Sequence, residues 1–234
     1  MFNSKGIIST CLALVALFWS AAALAENADP ASQQLSPQGA ARMESADEAK
    51  LRIGPGNPVA GKGKAGMCFV CHGEDGNSAD PQTPKLAGQY GTYIAKQVRD
   101  YLASTRSHQV MSGMAAAVSD EDLDDIAAYF ATQPMMKGEH PSSNEAGKKL
   151  FEKNDLPRMM VRCNSCHGAT GKGQNPGNPV NPVIGGQHKA YLLTQLINFK
   201  KGLRNNSQGG VMNTTVHRLS DAELDALADY ISGL

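Results

Sequence analysis

Two pentapeptides in this chain have the residue types and spacing for covalent cofactor chemistry: Cys68-Phe69-Val70-Cys71-His72 and Cys163-Asn164-Ser165-Cys166-His167. Two thiols at this spacing can add to the two vinyl groups on one edge of a porphyrin. The histidine that follows then falls beneath the iron and offers an imidazole nitrogen. Other chemistry also uses paired cysteines. A thioredoxin-like redox pair needs a βαβ setting, and neither pentapeptide follows a β-branched strand pattern. A structural zinc site could draw on both pairs, but they stand 95 residues apart and the histidines would be left without a role. The reading is two c-type haem attachment sites. Cys68, Cys71, Cys163 and Cys166 form the thioethers, and His72 and His167 are the proximal ligands.

An iron held in this way needs a sixth ligand or stays open. Methionine raises the potential and suits electron transfer, because a soft thioether favours ferrous iron. Downstream of the first motif stand Met111, Met114, Met135 and Met136, and an internal repeat chooses among them. Pro84-Lys85-Leu86-Ala87-Gly88-Gln89 matches Pro182-Val183-Ile184-Gly185-Gly186-Gln187, and Tyr93, Gln97, Tyr101 and Arg106 match Tyr191, Gln195, Phe199 and Arg204. Val118-Ser119-Asp120 then matches Leu219-Ser220-Asp221. Eight residues before each serine stand Met111 and Met212, which are the expected distal ligands. Met114 falls opposite Thr215 and His217 opposite Ala116, so neither has a counterpart able to play the same part. Met159 and Met160 lie too close to the second motif to cross the haem.

The segments around these residues must box two haems. Tyr90–Ser104 and His188–Gly202 carry apolar residues near helical spacing. Ser119 and Ser220 read as N-caps, the second with Glu223 as a full capping box and the first as a weaker variant. Shorter helices are expected to lead into the motifs around Val59–Gly66 and Asn144–Lys153. No segment alternates strongly enough to be a strand. The expected fold is all-α, with one haem per module.

Composition agrees. The 234 residues include 24 Gly and 12 Pro but only 6% aromatics, thin material for two small cores that a covalently held macrocycle would complete. Twenty-two basic residues balance 22 acidic ones, which excludes a generally basic nucleic-acid binder. A mean hydropathy of −0.34 with one long apolar run excludes a polytopic membrane protein. That run follows Lys5 and ends at Ala23-Leu24-Ala25, the pattern of a secretory signal cleaved after Ala25. The expected order is signal peptide 1–25, flexible extension 26–58, module one 59–131, linker 132–143 and module two 144–234. Cys11 leaves with the signal.

With both motifs, the Leu/Ile-x-Gly-Gln segments, the two methionines and the Ser-Asp caps in place, residues 59–234 resemble the cytochrome c4 family. The resemblance implies two tandem class I cytochrome c modules packed face to face, each with one covalent haem c, in the bacterial periplasm. It implies electron passage between respiratory complexes and terminal oxidases, with loose membrane-surface association. It also implies that the carbonyls of Pro84 and Pro182 accept hydrogen bonds from the proximal histidines, which would fix each ring and strengthen it as a ligand.

Arg106 and Arg204 stand at matching places after a helix. They could reach haem propionates or stand in solvent as surface arginines. His108, His140 and His188 read as surface residues. Charge divides unevenly: residues 26–136 hold 9 basic and 14 acidic residues, residues 137–234 hold 12 and 8. Such a dipole could orient encounters with different redox partners at the two ends, or these charges could be solvated helix faces. The functional expectation is a carrier that meets protein donors and acceptors transiently and uses no small-molecule substrate. The cytochrome subunit of a larger dehydrogenase and a haem enzyme such as a peroxidase are the alternatives.

Overall fold

The computed structural model describes residues 45–174, 178 and 180–234. The expected signal peptide and residues 26–44 lie outside the described residues. The first half folds into α1 (Ala46–Ile53), α2 (Pro58–Lys64), α3 (Gly66–His72), α4 (Gly91–Leu102), α5 (Met111–Ala116) and α6 (Asp120–Thr132). The second repeats the plan with α7 (Glu145–Glu152), α8 (Asn164–His167), α9 (Lys189–Lys200), α10 (Val211–Val216) and α11 (Asp221–Ser232). Extended pairing among the described residues is confined to one bridge, Asp155 with Met160. The fold is all-α.

Local chemistry sets the helix limits. Asn57 accepts from the backbone N–H groups of Val59 and Ala60, and Pro58 holds the first helical position, where its missing N–H costs nothing. Ser119 accepts from Asp122 N–H, while Ser220 and Glu223 form both halves of a capping box. Each half then packs its C-terminal helix across the short helix that precedes the motif. Backbones meet at two glycines: a Cβ on Gly61 would lie 1.9 Å from Asp125 O, and one on Gly147 would lie 2.1 Å from Ala226 O.

Each half has its own core. Ile94, Leu123, Ile126 and Phe130 centre the first, with Cys68 packed against them. Phe151, Leu196, Leu224 and Leu227 centre the second, with Cys163 and Met212 against it. A third cluster, Tyr90, Met136 and Val183, joins the halves.

Two segments are more ordered than a loose extension and a plain linker would be. Residues 46–53 form α1, with Ser45 and Glu48 as a capping box, and Arg52 donates to Ala131 O at the end of α6. Gly91 makes this docking possible, since a Cβ there would lie 2.1 Å from Ile53 O. Between α6 and α7, Met136 is buried and its N–H donates to Ala87 O, while Ser142 Oγ donates to Tyr230 O. The connection is pinned to both halves.

Candidate haem-attachment sites

α3 carries both cysteines and the histidine of the first motif, and α8 carries Cys166 and His167 with Cys163 as its N-cap residue, so in each half the second cysteine and the histidine come to the same end of a short helix. Cys68 and Cys163 are half-buried; Cys71 and Cys166 are exposed. None of the four is in a disulfide. Burial pushes the Cys68 thiol up and that of Cys163 up to about 12. A redox-active dithiol needs a depressed thiol pKa, so the thioredoxin-like reading has no support here. Among the described residues no three His, Cys, Asp or Glu side chains gather as a metal-ion cluster.

The two histidines are buried and equivalent. His72 Nδ1 donates to Pro84 O at 2.9 Å, and His167 Nδ1 donates to Pro182 O at 2.9 Å. Burial pulls both rings below the ordinary histidine range and favours the neutral imidazole a metal requires. With Nδ1 engaged, Nε2 is the nitrogen left to coordinate.

Both histidines line one apolar cavity of about 440 Å³. Leu86, Ile94, Val98 and Phe130 contribute walls from the first half, and Ile184, Leu192, Leu196 and Phe199 from the second. Met111, Met114 and Met212 also line it. The cavity is therefore lined by three methionines of the first half, Met67 beside the attachment motif as well as Met111 and Met114, and by Met212 of the second, and the repeat is what separates Met111 from Met114. Cysteines clear of disulfides, neutral buried imidazoles, methionines and apolar walls together fit a haem in each half.

Arg106 and Arg204 lie inside the molecule, each 7% exposed, so the solvated-surface reading does not hold. Each crosses to the opposite half. Arg106 donates to Gln97 Oε1 at 2.8 Å, Tyr191 Oη at 3.1 Å and Gln195 Oε1 at 3.0 Å. Arg204 donates to Gln195 Oε1 at 2.9 Å, Tyr93 Oη at 3.1 Å and Gln97 Oε1 at 3.0 Å. Among the described residues neither guanidinium bonds a carboxylate. Burial alone would raise the Tyr191 phenol, but the two guanidinium charges outweigh it and draw the phenol below its usual range.

His188 also departs from the surface reading, being 5% exposed. Its Nε2 lies 3.0 Å from Ser78 O in the first half, and Nδ1 lies 2.8 Å from Glu139 Oε1 between the halves. His108 and His140 are exposed.

Sequence reasoning passed over the role of Gln89 and Gln187. Gln89 donates to Val183 O at 2.7 Å and accepts from Val183 N–H at 3.0 Å. Gln187 donates to Lys85 O at 2.9 Å and accepts from Lys85 N–H at 2.9 Å. The matched Gly-Gln pairs marked the repeat, yet nothing in the pattern tells that each amide crosses to the other half.

The cytochrome c family model matches residues 59–134 and again 144–234. Cytochrome c4 of Azotobacter vinelandii is 40% identical over 190 residues, covering 76% of this chain and 90% of that protein. The thiosulfate dehydrogenase electron acceptor of Stutzerimonas stutzeri is 31% identical, over 82% of this chain and 88% of its own. The solved structure of reduced recombinant cytochrome c4 from Pseudomonas stutzeri superposes with a TM-score of 0.71 at 39% identity, covering 77% of this chain and all of that one. The chain belongs to the cytochrome c4 family: it is a dihaem electron-transfer protein with two covalently bound haem c groups, and not an enzyme.

Proposed function

We propose that Cys68 and Cys71 bind the first haem with His72 and Met111 as its axial ligands, and that Cys163 and Cys166 bind the second with His167 and Met212. The carrying observation is the matched pair of buried histidines, each held through Nδ1 by a proline carbonyl on the wall of an apolar cavity that also holds the methionines. When bound, haem iron supplies one-electron exchange. The protein's part would be to fix the imidazoles of His72 and His167, offer the thioethers of Met111 and Met212 to the irons, and surround each group with apolar walls. Arg106 and Arg204 supply positive charge for the propionates; two buried guanidiniums without carboxylate partners support this assignment.

The carrier works in the periplasm after cleavage of residues 1–25, and it passes electrons from a respiratory or dehydrogenase donor to a terminal oxidase or other acceptor. Charge supports distinct encounters at the two ends. Asp120 and Asp124 pair with Arg99, and Asp122 and Asp125 with Lys64, so much of the acidic cluster is compensated within the first half. Lys148, Lys149 and Lys153 of the second half have no ion pair among the described residues. The relative that accepts electrons from thiosulfate dehydrogenase favours a second reading, in which the donor is a dehydrogenase of sulfur compounds.

A spectroelectrochemical titration of the mature holoprotein tests the assignment. Two one-electron waves with methionine-ligated spectra at both sites are expected. A high-spin or carbon-monoxide-binding site in the unmodified protein would refute the paired methionine ligation.

A further inference from the structure

The hydrogen bonds around the proximal histidines continue past the proline carbonyls. The oxygen of Pro84 and the nitrogen of Lys85 belong to one peptide group. His72 Nδ1–H donates to its oxygen at 2.9 Å, and its own N–H donates to Gln187 Oε1 at 2.9 Å. The peptide between Pro182 and Val183 is engaged in the same way. His167 Nδ1–H donates to its oxygen at 2.9 Å, and its N–H donates to Gln89 Oε1 at 3.0 Å. Gln89, Gln187 and Val183 are buried, so solvent does not compete for these bonds.

An amide that donates at its N–H becomes a stronger acceptor at its C=O, an effect of about 10–30% per bond in a chain. A stronger acceptor draws the Nδ1 proton and leaves the imidazole a better electron donor to iron, which favours the ferric state. The glutamine feeding each chain belongs to the opposite half. We propose that Gln89 and Gln187 are crossed positioning residues: Gln187 in the second half tunes the first haem through Lys85, Pro84 and His72, and Gln89 in the first half tunes the second through Val183, Pro182 and His167.

The two chains are not identical in their surroundings. Lys85 is buried, and its ammonium donates to Lys137 O and Gly186 O and lies 3.3 Å from Glu139. Val183 brings no charge to the equivalent place. The same relay thus sits in two different fields, one way for a duplicated module to hold two haems at different potentials.

The inference rests on His72 and His167 being the iron ligands, and the test separates the two. Gln187→Met and Gln89→Met remove the amide while keeping much of the volume. Redox titration of each holoprotein, with haem methyl NMR signals assigning each wave, gives the readout. Gln187→Met is expected to shift the ferrous/ferric equilibrium constant of the first haem severalfold toward ferrous, and to move the second by less than half as much. Gln89→Met is expected to do the reverse. In the reduced protein the Nδ1–H resonance of the opposite half's histidine should move with it. Gln187→Asn and Gln89→Asn, one methylene short, should shift the same sites in the same direction if the methionine variants fail to accumulate. Equal shifts at both haems, a larger shift in the glutamine's own half, or no shift would overturn the crossed assignment. Histidine ligation is read separately from the wild-type spectrum, and its absence would overturn the ligand assignment instead.

Discussion

Arg106 of the first half places Nη2 3.1 Å from the Tyr191 hydroxyl of the second, and Arg204 returns the contact to Tyr93 at the same distance. Gln97 and Gln195 tie the two guanidiniums together, one from each half. Two like charges in one buried lattice repel, and the acceptors around each guanidinium offset that cost. The lattice therefore holds the halves together by hydrogen bonding to neutral oxygens, with no carboxylate among the described residues to neutralise its charge, as the proposed role toward the propionates requires.

Gln97→Met should expose how much the lattice contributes. Gln97 Oε1 accepts from Arg106, Arg204 and Asn206, and Arg106 Nη1 has no second acceptor among the described residues. A buried charged donor left short costs about 2–3 kcal/mol. Gln195→Met strips two donors rather than three and should cost less. Denaturant unfolding of the holoprotein measures both, and a neutral Gln97→Met would show the lattice to be energetically idle.

Removing the distal thioethers should open one iron at a time. Reduced Met111→Ala and Met212→Ala are each expected to bind one equivalent of carbon monoxide, with a lower potential at that haem, because a thioether favours ferrous iron. Met114→Ala should bind none, although Met114 lines the same cavity. If Met114→Ala opened the first iron instead, the repeat-based choice of Met111 would be wrong.

The start of α11 should carry a pH-dependent part of the stability. Backbone N–H of Ser220 holds the Glu223 carboxyl below its usual range, and Arg158 at 2.8 Å adds to this. A depressed folded pKa stabilises above the unfolded value near 4.5 and loses that contribution as pH falls through the folded one. Glu223→Gln keeps an oxygen for the Ser220 N–H but removes the charge beside Arg158 and the helix N-terminus, so it should cost about 0.3–1 kcal/mol at pH 7, and the gap from wild type should close toward pH 3. A gap independent of pH would assign the effect to packing.

Local signals carried the fold into the sequence and long-range ones did not. Ser119, Ser220 and the helical periodicity each act within a turn or two, so α4, α6, α9 and α11 were legible. The ligand-bearing pentapeptides are equally local. His188 looked like a surface residue because its partners, Ser78 and Glu139, stand 110 and 49 positions away. Arg106 and Arg204 could be paired by the repeat, but their burial follows from face-to-face docking, which no periodicity records. α1 was missed for a similar reason. Its docking depends on Gly91, which looks like any other helix-start glycine until Ile53 is placed beside it.

Glycines in α2 give the sharpest contrast between propensity and packing. Gly61 and Gly63 lie two residues apart on this helix, and propensity alone makes alanine better at both by about 0.8–1.0 kcal/mol. Gly63 faces open space, with nothing within 4 Å of a Cβ, so Gly63→Ala should follow propensity and raise the melting temperature. At Gly61 the same methyl would meet Asp125 O at 1.9 Å and Asp125 C at 2.5 Å, both backbone atoms of α6. Backbone cannot swing aside as a side chain can, so α2 must lift off α6, and overpacking of this kind costs about 1–3 kcal/mol. Clash outweighs propensity, and Gly61→Ala should lower the melting temperature. Gly147→Ala should do the same in the second half, where Ala226 O stands 2.1 Å from the Cβ position. Matching signs for Gly61→Ala and Gly63→Ala would mean that the helices can separate at no cost, and the close crossing would lose its role in holding each module shut.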